Sequence, residues 1–382
     1  MLVEIHMLQN HAPSNLNRDD TGSPKDCIFG GIRRVRISSQ CLKRSIRRSP
    51  VFSDALEGTS LGIRTRRLPE LVKEQLIKLG ISADIADIAA VKASGFGTKD
   101  GKERADDLNT AQTMFLADSD INSIAQVLYE AAQNAKGASD FKKVAVKDLQ
   151  ASAQLKGWRP ITPDIALFGR MTTSDAFHDV EAAVQVAHAI STNKMDQEFD
   201  YFTAVDDLQG LSADDDAAGA DMIGDIEFSS ACFYKYFSID VDALVSNLAG
   251  PDATRQAEAK AVAVTTIKAF LQAAVFTTPS GKQNSFAAHQ LPDVILVEIR
   301  PTKVPVSYAN AFLKPARPNA ELDIVDDSSN KLIAEANQLA HKYSLPTVKR
   351  LWFSTRTKVP AQVDACETLG EMISSIEKVL AQ

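Results

Sequence analysis

Apolar and polar positions alternate from Leu2 to Leu8, with Val3, Ile5 and Met7 on one side, which predicts a first β-strand. A stretch rich in Pro, Asn, Asp and Gly follows over residues 11–31 and reads as a long loop, a feature that compact domains keep mostly for function. Arg34-Val35-Arg36-Ile37 alternates again, predicting a strand that turns Val35 and Ile37 to a core and both arginines to the other face. Ser38 or Ser39 then caps a helix in which Leu42 and Ile46 form an i,i+4 apolar pair.

Between about residues 61 and 150 the spacing is helical, with helices predicted over 68–79, 83–93, 106–117 and 121–135 and no strand expected. Residues 95–102 (GFGTKDGK) lack the spacing of a phosphate-binding loop and read as a plain turn. Further on, 164–171 (DIALFGRM) reads as a short strand and 177–188 as a helix. Strand-like segments at 199–205 and 226–239 flank residues 206–225, which hold seven aspartates, three glycines and no Lys or Arg. That pattern predicts a long exposed hairpin or arm. A long helix over 254–276, a buried strand over 293–299 and helices near 328–343 and 363–381 complete an α+β pattern.

Composition is that of a chain with a substantial core: 382 residues, 45% hydrophobic and 24% charged, long enough for about two or three domain-like units. No apolar run is read as a membrane span, and MLVEIHMLQNH has no basic region ahead of an apolar one. Cys27, Cys41, Cys232 and Cys366 are scattered without a C-x-x-C. The expectation is a cytoplasmic protein with no membrane partner and no metal.

Charge changes the picture more. The net charge is -7, yet residues 16–48 carry nine Lys/Arg against three acids. On the predicted helix Lys43 stacks with Arg47 and Arg44 with Arg48. Like charges at this spacing cost about 0.2–0.5 kcal/mol per pair. An anion along that face would relieve both pairs, and a polyphosphate backbone fits it. Catalytic patterns such as H-E-x-x-H and G-x-S-x-G are missing from the sequence. His178 and His188, ten apart on the predicted helix, would lie about 15 Å apart along its axis, too far to share a metal. Asp206-Asp207, Asp214–Asp216, and Asp19, Asp20 and Asp26 beside the basic face are the acids that could hold Mg²⁺. The balance favours a binder over an enzyme.

The blocks LNRDD, KD-IFGG-RRVRISSQ-LKR, DIALFGRM, AHAIST, FTAVDDLQ and EFSS-FY-Y, in that order, resemble the backbone subunit of the type I-E CRISPR surveillance complex, Cascade. The resemblance runs to about residue 312 and weakens over 65–155. It implies a modified RNA-recognition-motif (ferredoxin-like) palm at 1–60, 156–190 and 226–382, helical fingers at 61–155 and a β-hairpin thumb at 191–225. The short aromatic signature of an ordinary RNA-recognition motif is missing, so base stacking on the sheet is not expected. The implied role is non-catalytic. About six copies line up head to tail along a CRISPR RNA, kink it at every sixth nucleotide and present it to target DNA. Large, small, capping and RNA-processing subunits are the implied sister partners, and no cofactor is implied. Carried over residue by residue, the RNA-binding set is Arg18, Lys25, Arg34, Ser38, Gln40, Lys43, Arg44, Arg47, Arg170 and Thr203, with Val205. Met171 and Ile223 would be apolar wedges beside the kinked nucleotide. The alternative is a metal-dependent RNA-cleaving subunit using Asp26, since related backbone subunits cut RNA with a loop aspartate.

Overall fold

The N-terminal alternation runs further than predicted: strand β1 spans Leu2–Ser14. The computed structural model describes residues 1–204, 222–356 and 359–382. Within it β1 sits inside a large sheet. The strand order is Asp364–Cys366, Lys349–Ser354, Val294–Arg300, β1, Met222–Asp240, Ala189–Ser191, Ile32–Ile37 and Asp26–Phe29. The last two are β3 and β2 respectively. β1 pairs antiparallel with Val294–Arg300, in register Leu2 to Arg300 and Leu8 to Val294. The pairing of Lys349–Ser354 with Asp364–Cys366 is parallel. The chain is therefore α+β with a large, mostly antiparallel sheet.

Contacts divide the chain into two compact units, one of residues 1–52, 185–239 and 270–382, the other of 53–184 and 240–269. The first holds the sheet. Val3, Ile5 and Met7 on one face of β1 are fully buried, as are Ile295, Val297 and Ile299 beside them. On the other face, Leu8, Leu296, Tyr234, Tyr236 and Trp352 pack under Leu332 and Ala336 of the helix Ile324–Lys342. Burial on both faces explains why 293–299 reads as a nearly unbroken apolar run.

The strand itself, Val294–Arg300, contains one acid, and the structure shows why it is tolerated. Glu298 and Glu4 are cross-strand neighbours, both fully buried, and Arg300 pairs with both. Tyr236 Oη donates to Glu4 at 2.6 Å, the Val306 backbone N–H donates to it at 2.7 Å, and Arg350 Nε reaches Glu298 at 2.7 Å. A buried ion network of this kind persists only when each lone pair finds a donor. His6 stacks on Tyr308 at 4.5 Å and Tyr236 at 5.0 Å within the same layer.

The second unit is mostly helical. Helices Leu68–Lys78, Ala83–Gly95 and Asp118–Asn134 enclose Val72, Ala89, Ala93, Ile124, Leu128 and Phe141. Several expectations are corrected here. A short ribbon, Ile63–Thr65 with Met114–Leu116, replaces the predicted absence of strands, and the predicted helix over 106–117 does not form. The supposed strand at 164–171 is the helix Pro163–Phe168, begun by Pro163 in its first turn and ended by Gly169 at φ +77°. The supposed helix at 177–188 does not form. Val180 bridges to Arg170, the Asp179 carboxylate accepts from the Thr172 backbone, and Val184–Val186 is a strand. The helical segment Ala253–Phe276 is long and apolar enough to cross a membrane by length and composition, contrary to the sequence reading. With 61% of that window buried inside the protein, it has the burial of a core helix.

Burial pushes the His6 imidazole down to about 3 and that of His11 to about 4. Both therefore bind protons more readily unfolded than folded, so stability falls as pH drops below about 6.5. Each adds a slope of about 1.4 kcal/mol per pH unit in that window. Denaturant titrations at pH 7, 6, 5 and 4.5 should show this loss, with His6→Phe removing about one proton's share of the slope. An unchanged slope in His6→Phe would mean that His6 is not held neutral by the fold.

Candidate nucleic-acid interface

The helix expected after the basic strand is present as α1, Ser39–Arg47, with Leu42 and Ile46 buried. The two apolar side chains fix its rotation, so Lys43, Arg44, Arg47 and Arg48 are carried away from the core. Ser38 is the cap: its Oγ accepts from the Cys41 backbone N–H at 3.2 Å. Its own N–H donates to Asn17 Oδ1 at 2.8 Å, which ties the helix start to the preceding loop.

That loop is shorter than read, because β1 extends to Ser14 and β2 starts at Asp26. What remains is internally braced. Asp19 Oδ1 accepts from the backbone N–H groups of Thr21 and Ser23, both at 2.9 Å, and from the Thr21 hydroxyl at 2.8 Å. These donors hold the Asp19 carboxyl below its ordinary range, the Thr21 hydroxyl most. Asn15 Nδ2 donates to the carbonyls of Gly22 and Glu227, each at 2.9 Å. Arg18 is exposed on this braced loop.

Loop, helix and a third segment enclose a groove of about 920 Å³. Arg18, Asp19 and Asp20 form one wall, Cys41, Arg44, Ser45 and Arg48 the helical side, and Thr277, Ser280, Gly281 and His289 the other wall. Gly281 is needed where it stands, since a Cβ there would fall 2.4 Å from the Leu16 carbonyl oxygen. Among the described residues no carboxylate pairs with Arg18, Lys43, Arg44 or Arg48, even with Asp19 and Asp20 in the same groove. Gln40 is exposed, and Lys25, Lys43 and Arg47 are half-buried. The 276–289 wall went unread in the sequence; its only signal is the SGK turn, too common to interpret alone.

Arg34 departs from the expectation that both strand arginines face outward. It is fully buried, and its guanidinium donates to the carbonyls of Ser191, Thr192 and Phe312 at 2.9, 2.7 and 2.6 Å. The physical reason is that the 312–313 segment covers its side of β3, so it clamps backbone and has no surface to offer a strand of nucleic acid. Arg36 is half-buried, with Nε donating to the Asp26 carbonyl and Nη1 beside His188 Nδ1 at 3.0 Å. Arg170 is likewise turned inward, 8% exposed, and pairs with Asp120 at 2.5 Å. Asp120 also takes Arg159 at 3.1 Å, so one buried acid organises two guanidiniums.

The apolar candidates lie in the open. Met171, directly after Arg170, is 91% exposed, which removes the reading of it as core filling. Glu198–Ala204 pairs with the start of Met222–Asp240 as an antiparallel hairpin, Thr203 opposite Ile223 and Tyr201 opposite Asp225. Phe199, Tyr201 and Ile223 share one face of it, each at least 60% exposed. Val205, Asp206, Asp207 and Asp214–Asp216 lie outside the described residues. Asp26 stands on β2 with its carboxylate paired to Arg33. Among the described residues no three His, Cys, Asp or Glu side chains gather as a metal site.

Chemically, the groove offers the guanidiniums of Arg18, Arg44 and Arg48, the amide of Asn17 and several hydroxyls, a set suited to phosphates and riboses, while Lys25, Gln40, Lys43 and Arg47 lie outside its lining. On the central strands aromatic stacking is closed off at Tyr234 and Tyr236, which lie beneath helix and loop at 2% and 7% exposure.

The model of the CT1975-like protein family matches residues 3–382. No curated protein matches. Among solved structures, the chain is similar to one from a "CRISPR RNA-guided surveillance complex, pre-nicking", with a TM-score of 0.79 and 27% identity over the whole of both chains. It also shares its fold with a chain of a "CRISPR RNA-guided surveillance complex", at TM-score 0.71 and 24% identity, covering 99% of this chain and all of that one.

Replacing Arg34 by Leu should cost about 3 kcal/mol or more, because three buried carbonyls lose their donor together. Arg18→Ala should shift stability by no more than about 0.5 kcal/mol. Equal denaturation midpoints for the two variants would show that Arg34 is not the clamp described.

Proposed function

The chain belongs to the family of CT1975-like proteins, and we propose that it is a non-catalytic, CRISPR RNA-binding backbone subunit of a Cascade-type surveillance complex. The observation that carries this is the groove beside α1: cations on a rigid helix and a braced loop, unneutralised by the acids near them. Phosphate and ribose contacts hold a strand without reading it, so any guide sequence is accommodated. Pairing with DNA is then left to the bases, as in other RNA-guided systems.

The finer reading is a type I-E subunit, cytoplasmic, about six of which stack head to tail on one guide and meet target DNA. Large, small, capping and RNA-processing subunits would complete the assembly. A heterologous contact of this kind does not close on itself, so caps are needed to set its length. The strand order Val294–Arg300, β1, Met222–Asp240, Ala189–Ser191 supports a ferredoxin-like palm, taking these as strands four, one, three and two of a βαββαβ unit. The division proposed is a palm of 1–60, 156–190 and 226–382, fingers of 61–155 and a thumb of 191–225. The exposure of Met171 and Ile223 supports their use as wedges that kink the RNA every six nucleotides.

Lys43→Glu combined with Arg47→Glu should abolish RNA-loaded assembly while leaving the far-ultraviolet circular dichroism of the monomer unchanged. Arg44→Gln should weaken binding across all sequences and flatten the salt dependence of log affinity by about 0.7. Sequence-selective loss, or none, would sink the reading. Native mass measurement of the RNA-bound particle gives copy number and guide length together. Incubated with complementary labelled RNA and Mg²⁺, the complex should leave that RNA whole; cuts at six-nucleotide steps that vanish in Asp26→Ala would establish the nuclease instead.

A further inference from the structure

Lys235, on the strand Met222–Asp240, is 1% exposed, which is rare for a lysine without a paired acid. Its Nζ donates to Gln9 Oε1, and the other end of that amide donates to the Gln290 carbonyl. Among the described residues no carboxylate faces it. From β1 it meets Gln9 and His11, and from α1 it meets Cys41, whose thiol also feels Lys25 and Arg44. Cys41 in turn lines the groove. An ammonium with one neutral acceptor thus sits behind the helical side of a groove that is itself cationic.

We propose that Lys235 is a binding residue that never touches its ligand: a buried, uncompensated cation whose field reaches the groove and whose protonation is completed when a polyanionic strand is seated there. This rests on the RNA-binding reading of the groove. A low-dielectric interior screens such a charge less than water screens Arg44, so a phosphate in the groove feels it across the helix. Burial pushes the Lys235 amine down to about 8. A seated phosphodiester chain favours the ammonium and moves that value up, so binding takes up a proton between about pH 8 and 9. Its neighbours stay out of that window: burial raises the Cys41 thiol above its ordinary value, and His11 is held near 4.

The test uses the full chain and a single-stranded RNA of mixed sequence, with calorimetry in two buffers of different ionisation enthalpy. Wild-type protein should take up about half a proton on binding at pH 8.5, well above the range in which His289 of the groove wall exchanges protons. Lys235→Met should abolish the uptake at pH 8.5 and weaken binding at pH 7 about three- to tenfold. It should leave the salt slope unchanged, because no phosphate contact is lost, whereas Arg44→Gln lowers the slope. It should also raise the thermal midpoint at pH 7, a gain that shrinks toward pH 10.5 as the wild-type amine loses its charge. Uptake that is the same in both proteins, or missing from the wild type at pH 8.5, overturns the role of Lys235. If the wild type binds no RNA at all, it is the function of the groove that falls.

Discussion

Mutual repulsion among Lys43, Arg44, Arg47 and Arg48 is the constraint around which the sheet-bearing unit is arranged. Four cations on one short helix favour unwinding, and α1 is only Ser39–Arg47 long. Burial of Leu42 and Ile46 and the cap at Ser38 oppose that repulsion. Pairing Lys43, Arg44 and Arg48 with nearby acids would have been the simpler remedy. Instead Asp19 is consumed by its own loop and Asp26 by Arg33, which keeps both carboxylates from quenching the helix.

A second constraint comes from the sheet. A sheet with one bare face could bind RNA by stacking on aromatic side chains. Here that face is closed by Ile324–Lys342 and carries the Glu4–Arg300–Glu298 network in its interior. Opening it would expose apolar core and orphan a buried ion cluster, a cost of several kcal/mol. The rim is different: there loop 15–25, α1 and the 276–289 segment supply polar groups without disturbing the core.

Much of this was legible along the chain. The first strand, α1 with its apolar pair and the long helix 256–276 follow from the spacing and length of their apolar stretches. The cationic island needed only counting. Residues 164–171 and 177–188 were misread because short apolar runs fit helix or strand equally, and local side-chain bonds at Thr162, Thr172 and Asp179 made the choice. Arg34 was misread because alternation says which residues share a face and cannot say whether that face is covered.

Sequence alone determined the sign and position of the cationic island, the class of fold and the faces of its clearest helices, since these depend on neighbours within a few residues. Only the tertiary structure decided which arginines remain outside. Arg18 and Arg44 stay at the surface while Arg34 and Arg170 are spent on carbonyls and on Asp120, through contacts that arrive from more than fifty residues away for Arg34 and fifty for Arg170. The same long-range packing set Lys235 behind the groove. Charge is a property of the residue, but its availability is a property of what the fold brings next to it.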